Sequence, residues 1–223
     1  MRNLEKQFKN RKIDFDKLLD YGFIKSNHKH LYEKNICDDS FKIIIEISAL
    51  TKISKVIDLN LNEEYILVDV ESASGEFVGR VKEEYESVLN DFIEKCSIKD
   101  IFKSNQAKLL IKYIKNKYND DLEYLWKNFP NDAISRNKEN NKWYGLLMII
   151  EENKLGIDSN KLIEIIDLRY QKEKIDEIID DKNIFRGYHM NKNSWITIKL
   201  DESVEIKKIY ELIDNSYELS LKK

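Results

Sequence analysis

Proline and glycine are scarce in this 223-residue chain, with one Pro and six Gly. That excludes collagen-like repeats, flexible linkers and low-complexity tracts. Cysteine is nearly missing as well. Cys37 and Cys96 form no CxxC pair and no zinc spacing, so neither a disulfide scaffold nor a zinc module is implied. No apolar run approaches the ~18 residues of a membrane helix. The longest are Ile43-Ile44-Ile45 and residues 145–150. The opening, Met1-Arg2-Asn3-Leu4-Glu5-Lys6, is charged and holds no apolar signal-peptide core. Together these absences describe a cytoplasmic chain with reduced thiols and no membrane partner. An excess of one charge is also lacking, with 38 Lys and Arg against 41 Asp and Glu, a net of −3. A globally basic nucleic-acid binder, with a pI above about 9, is excluded, because the pI here is near 5.8.

What the chain does have is apolar mass, 42% hydrophobic and 11% aromatic beside 35% charged. That suffices for one large domain or two of about 100 residues. Residues 3–20 read as a helix stopped by Gly22, with Leu4, Phe8, Phe15, Leu18 and Leu19 for an apolar face. Four strands follow in order, His30–Ile36, Phe41–Ile47, Ile53–Leu59 and Tyr65–Val70, broken by turn residues such as Cys37-Asp38-Asp39-Ser40. In Glu76–Cys96 the residues Phe77, Val81, Tyr85, Val88, Phe92 and Cys96 make one helical stripe, with Ser74 as a capping hydroxyl. Residues 1–97 are therefore expected as an αββββα domain. The boundary falls at 98–104, and a second domain spans 104–223.

In the second domain the pattern predicts a helix at Asn105–Tyr118 and helical character at Leu122–Asn128, ending at Phe129-Pro130. Ala133–Asn137 and Lys142–Ile150 flank a four-residue turn as a hairpin. Strands at Leu162–Leu168 and Trp195–Leu200 and a short helix at Ile175–Ile179 follow. Ser203 is the expected cap of a last helix with Ile206, Tyr210, Ile213 and Tyr217 on one face. The fold class is α+β: two small domains, each an antiparallel sheet packed against helices.

The segment Tyr124-Leu125-Trp126-Lys127-Asn128-Phe129-Pro130, then Lys142-Trp143-Tyr144-Gly145, resembles the MmcQ/YjbR family. The densest match is Phe185-Arg186-Gly187-Tyr188-His189-Met190-Asn191-Lys192, continued by Ser194-Trp195-Ile196-Thr197 and closed by Leu212-Ile213-Asp214-Asn215-Ser216-Tyr217. The first half is similar to the N-terminal extension of longer members, through Tyr21-Gly22-Phe23, Glu63-Glu64-Tyr65 and residues 71–81. The resemblance implies a CyaY-like sheet backed by helices in a bacterial protein, and a DNA-binding "double-wing" surface. It implies no enzyme activity. Fold alone does not fix function.

Residue chemistry supplies candidates for that surface. Arg186 and Lys192 can neutralise phosphate, Asn191 can reach a base edge, and Tyr188, His189 and Trp195 can stack. Arg136 and Lys142, on the hairpin, extend the patch. The competing account makes Tyr188 and Trp195 core aromatics, Gly187 a turn residue, and His189 and Asn191 loop hydrogen-bonders. Residues 1–100 carry 16 basic and 20 acidic groups and residues 101–223 carry 22 and 21, nets of −4 and +1. Double-stranded DNA is thus the first-named partner and a protein partner the alternative. His28 and His30 share a strand face, and Glu83-Glu84 and Asp176-Glu177 are acidic clusters, yet none has the ligand spacing of a metal site. No Ser/His/Asp, Cys/His or paired-carboxylate arrangement is present, and no cofactor is expected.

Overall fold

A computed structural model describes residues 1–222 and divides the chain into two compact units, Met1–Ile101 and the chain from Phe102 onward. Each is α+β, an antiparallel sheet packed against helices. Among the described residues, no helix is long and apolar enough to cross a membrane.

The first unit does not open with the expected helix over 3–20. It opens with strands β1 (Arg2–Asn3) and β2 (Arg11–Ile13), and α1 spans only Phe15–Tyr21. The cause is long-range pairing, Asn3 with Ile53 and Lys12 with Ile98, which local periodicity cannot register. The Asp14 carboxylate accepts from the Asp16 and Lys17 amides to start α1, and Gly22 ends it at φ 112°. Then come β3 (Ile24–Ser26), β4 (Lys29–Ile36), β5 (Phe41–Ile47) and β6 (Lys52–Asp58), joined in the order β1-β6-β5-β4-β3, with β7 (Glu63–Glu64) added to β6.

Strand β5 alternates strictly, burying Phe41, Ile43, Ile45 and Ile47. Burying each such side chain stabilises by roughly 1.5–3 kcal/mol. The expected fourth strand, Tyr65–Val70, is a 3-10 turn at Ile66–Asp69 instead. Only Val68 of that segment goes inside, so no alternating face exists to pair a strand.

Helix α2 runs Glu76–Cys96, the span its stripe predicts, and buries Val81, Tyr85, Val88, Leu89, Phe92 and Cys96. Phe77 departs from that stripe and stays exposed, and Gly75, not Ser74, holds the cap position, with no side-chain bond. Strand β8 (Ser97–Lys99) closes on β2.

In the second unit α3 spans Asn105–Tyr118, capped by the Ser104 hydroxyl, which accepts from the Ala107 amide. Leu122–Asn128 is not helical. Glu123 exchanges two backbone hydrogen bonds of 2.9 Å with Ile134, which holds the segment extended along the sheet edge. The remaining elements are β9 (Ala133–Arg136), β10 (Trp143–Glu151), β11 (Leu162–Arg169), α4 (Ile175–Ile178), β12 (Ile184–Arg186), β13 (Trp195–Lys199) and α5 (Ile206–Leu221). The sheet order is β12-β13-β11-β10-β9. Ser203 does not cap α5; its hydroxyl turns back to Asp201, and Glu205 stands at the cap.

Helix α5 lies across β10 and β11 and beside α3. It buries Ile209, Leu212, Ile213, Ser216 and Ser220, while Tyr210 and Tyr217 flank that stripe and stack on Tyr113 and Tyr118 of α3, with ring centres 4.1 and 3.9 Å apart. The opposite sheet face carries Ile134, Leu146, Met148, Ile163 and Ile165 under a cover that includes Trp126, Tyr188 and Met190.

Candidate binding surface

The antiparallel registers bring three residue pairs to one end of the second sheet. Arg136 pairs with Trp143, Arg169 with Trp195, and Arg186 with Ile196. Along the helix-free face, cations and rings alternate. The Arg136 guanidinium lies 6.0 Å from the Trp143 ring centre, and that of Arg169 lies 4.7 Å from Trp195. Arg169 also donates its Nε–H to the Trp143 carbonyl. Trp126 packs edge-on against Trp143 at 5.6 Å.

One row further in sits Asp167, fully buried in β11. Its two oxygens fasten the loop between β12 and β13. Oδ1 accepts from the Thr197 hydroxyl, and Oδ2 accepts from the His189 amide at 3.2 Å. The Thr197 hydroxyl oxygen in turn accepts from the Tyr188 amide at 2.8 Å. Burial lifts the Asp167 carboxyl to about 6, against the pull of Thr197 and the His189 and Tyr188 amides. Burial also raises Asp132, and the charge of His189 lowers both carboxyls.

Gly187 begins the loop by donating its amide to the Trp195 carbonyl at 2.8 Å, and a Cβ there would lie 2.9 Å from the Trp195 Cβ. Only glycine allows that approach. Past the loop's tip the Asn191 side chain accepts from the Asn193 amide at 2.9 Å, closing a turn.

The eight sequence-derived candidates separate on this frame. His189, Asn191 and Lys192 are exposed on the fastened loop, and Lys192 has no side-chain partner among the described residues. Tyr188 is half-buried, its ring 4.5 Å from that of His189. Trp195 is 3% exposed and sandwiched in the sheet, so its ring is closed to a stacking base. Arg186 is ion-paired with Asp176 and donates to the Lys192 carbonyl at 3.2 Å.

Arg136 is held by both oxygens of Glu123 at 3.0 Å, and Lys142 donates to the Lys222 carbonyl. These two do not extend the loop's patch directly. β13, β11 and β10 lie between β12 and β9, so Arg136 stands on the opposite edge from Arg186, roughly 19 Å away at ordinary strand spacing. Asp167, Thr197 and Arg169 were not among the candidates. An acid in phase with Ile163 and Ile165 of the apolar strand Leu162–Leu168 is the signal for Asp167, since a buried carboxylate requires partners. Among the described residues, no three His, Cys, Asp or Glu side chains gather as a metal site would need.

The YjbR family profile matches residues 117–219, which contain this whole arrangement. A curated relative, "Uncharacterized protein YyaQ" of Bacillus subtilis (strain 168), is 39% identical over 111 residues, 50% of this chain and 94% of the relative. The chain belongs to the YjbR family. A crystal structure of a Pseudomonas syringae protein is 37% identical over 51% of this chain and 97% of its own, with a TM-score of 0.49. A Deinococcus radiodurans protein is 21% identical over 52% of this chain and 79% of its own, with a TM-score of 0.41. The profile lies within the second unit, and the YjbR relative carries no assigned activity in its name.

Proposed function

We propose that this YjbR protein is a non-enzymatic binding protein whose second unit, a CyaY-like domain, contacts the phosphate backbone of double-stranded DNA through the loop from Gly187 to Ser194. One observation carries the reading. The loop backbone is fastened from beneath by Asp167 and Thr197, while His189, Asn191 and Lys192 remain exposed above it. A fixed backbone presenting a cation, an amide and an imidazole costs little ordering entropy on binding. The first unit is read as the extension carried by longer family members.

A second reading, docking of a protein on the same loop, draws on a specific feature. Arg136 and Arg186 are already paired with Glu123 and Asp176, and the chain from residue 101 on nets only +1. Neutralised arginines release few counterions, the main source of non-specific DNA affinity.

The test is fluorescence anisotropy of a labelled duplex with the full chain at about 50 and 200 mM salt. The DNA reading expects binding that weakens steeply with salt and is lost in Lys192→Ala with His189→Ala. No binding at the lower salt, or binding unchanged in that double variant, would overturn it and favour the protein partner.

A further inference from the structure

We propose that the first unit docks a basic, amphipathic protein segment on the surface formed by residues 58–77, independently of the second unit's loop. Between Lys55 and Arg80 the chain has no Lys or Arg and six Asp or Glu. The same stretch turns its apolar side chains outward. Leu59 is 38% exposed, Leu61 69%, Ile66 60%, Leu67 38%, Val70 37% and Phe77 57%. Singly exposed leucines need no explanation, but this many within one short stretch of chain point to an interaction site.

The surface is built, not frayed. β7 pairs with β6 through Ile57–Glu64 and Asp58–Glu63, and the Tyr65 amide donates to the Val56 carbonyl at 2.8 Å. In the 3-10 turn Val68 is the inward anchor, leaving Ile66 and Leu67 outside. The rings of Tyr65 and Phe77 both rest on Phe41, with centroids 4.9 and 5.7 Å away, which ties the turn to the start of α2. The Lys82 ammonium donates to the Val70 and Ala73 carbonyls and fixes the connecting loop.

Charge states what the surface would take. Glu64 and Asp69 are neutralised by the Met1 amine and Arg2, and Asp58 accepts from the Asn60 and Leu61 amides. Glu63, Glu71 and Glu76 are exposed and have no ion pair among the described residues. Unpaired carboxylates beside exposed apolar groups complement the inverse pattern, a helix with an apolar i, i+3, i+4 stripe flanked by Lys or Arg.

The experiment uses the full chain and a labelled helical peptide of about 14 residues, with Leu at that spacing and Lys elsewhere. A same-composition scramble and a Glu-for-Lys version are its controls. The patterned Lys peptide is expected to bind at least ~10-fold more tightly than the scramble. Leu61→Ser with Ile66→Ser removes that difference while the circular dichroism stays native. Glu63→Lys with Glu71→Lys transfers preference to the Glu peptide. Equal binding of patterned and scrambled peptides, no binding at about 0.5 mM, or native-like binding by either variant would overturn the proposal. So would a sedimenting dimer dissolved by Ile66→Ser, which would give the surface to a second copy of the chain.

Discussion

Among the described residues, three polar ones, His30, Ser54 and Ser97, are buried in the first unit, against eight in the second, among them Asp120, Asn137, Asp167 and Thr197. The first unit is held mainly by aliphatic and aromatic packing under α2. The second adds polar tethers at the places where loops meet its sheet. Apolar packing tolerates rearrangement, whereas a buried carboxylate accepts only donors in fixed positions. The unit with the more specified interior is the one that carries the fastened loop. The unit with the plainer core leaves apolar side chains outside, over residues 58–77.

That contrast can be broken experimentally. The largest effect is expected from Phe92→Ala in α2, whose ring is fully buried between Phe8, Tyr21 and Phe23. It should cost about 3–5 kcal/mol. Hydrogen exchange should show the loss of protection in residues 1–101. A cost under about 1 kcal/mol would mean that the first core does not depend on this packing.

Next comes Asp167. Its carboxyl titrates near 6 in the folded chain because burial penalises the charge, above the ordinary aspartate value of about 3.9 in the unfolded chain. Between those values the folded state keeps a proton that the unfolded state has released. The contribution is therefore most favourable below about pH 4, falls as pH rises toward 6 and is level above it. The span is on the order of 2–3 kcal/mol. Urea midpoints of the native chain and of Asp167→Asn, compared at about pH 4.5 and 7, should diverge with the native chain relatively weaker at the higher pH. Parallel midpoints would show that the loop's tether carries no buried charge.

A smaller effect tests the first unit's own polar contact. The Tyr85 hydroxyl shares a buried 2.6 Å hydrogen bond with Ser54. Tyr85→Phe should lose roughly 1–2 kcal/mol, since the Ser54 hydroxyl is left unsatisfied. Thermal unfolding reads this directly, and a neutral result would make the contrast between the two interiors sharper still. Last, Lys192→Ala should change stability by less than about 0.5 kcal/mol, because the side chain is exposed on a loop held by other groups. A larger loss would make Lys192 part of the loop's support and not of its surface.

Periodicity was sufficient where an element completes its pattern within itself. Helices α2 and α3 and strand β5 have the limits that their apolar spacing predicts. It failed where a distant partner decides. Residues 3–20 have a helical spacing, yet Asn3 and Lys12 are claimed by β6 and β8. Leu122–Asn128 likewise lies extended because Ile134 pairs with Glu123. In the candidate site, the loop was legible through the family resemblance carried by Gly187-Tyr188-His189-Met190-Asn191-Lys192 and the binding chemistry of those residue types. Asp167 was hidden by the apolar run around it, and Arg169 by lying just past the end of the predicted strand. The separation of Arg136 from Arg186 depends on strand order, which adjacency in sequence does not encode.

All three tryptophans, Trp126, Trp143 and Trp195, belong to the second unit, while both cysteines, Cys37 and Cys96, are buried in the first. Burial also pushes both thiols up in pKa, Cys96 to about 11, which suppresses the thiolate that reacts. The chain thus contains two reporters that do not overlap. Indole emission follows the opening of one unit and thiol labelling that of the other, so both can be timed in the same protein without any substitution.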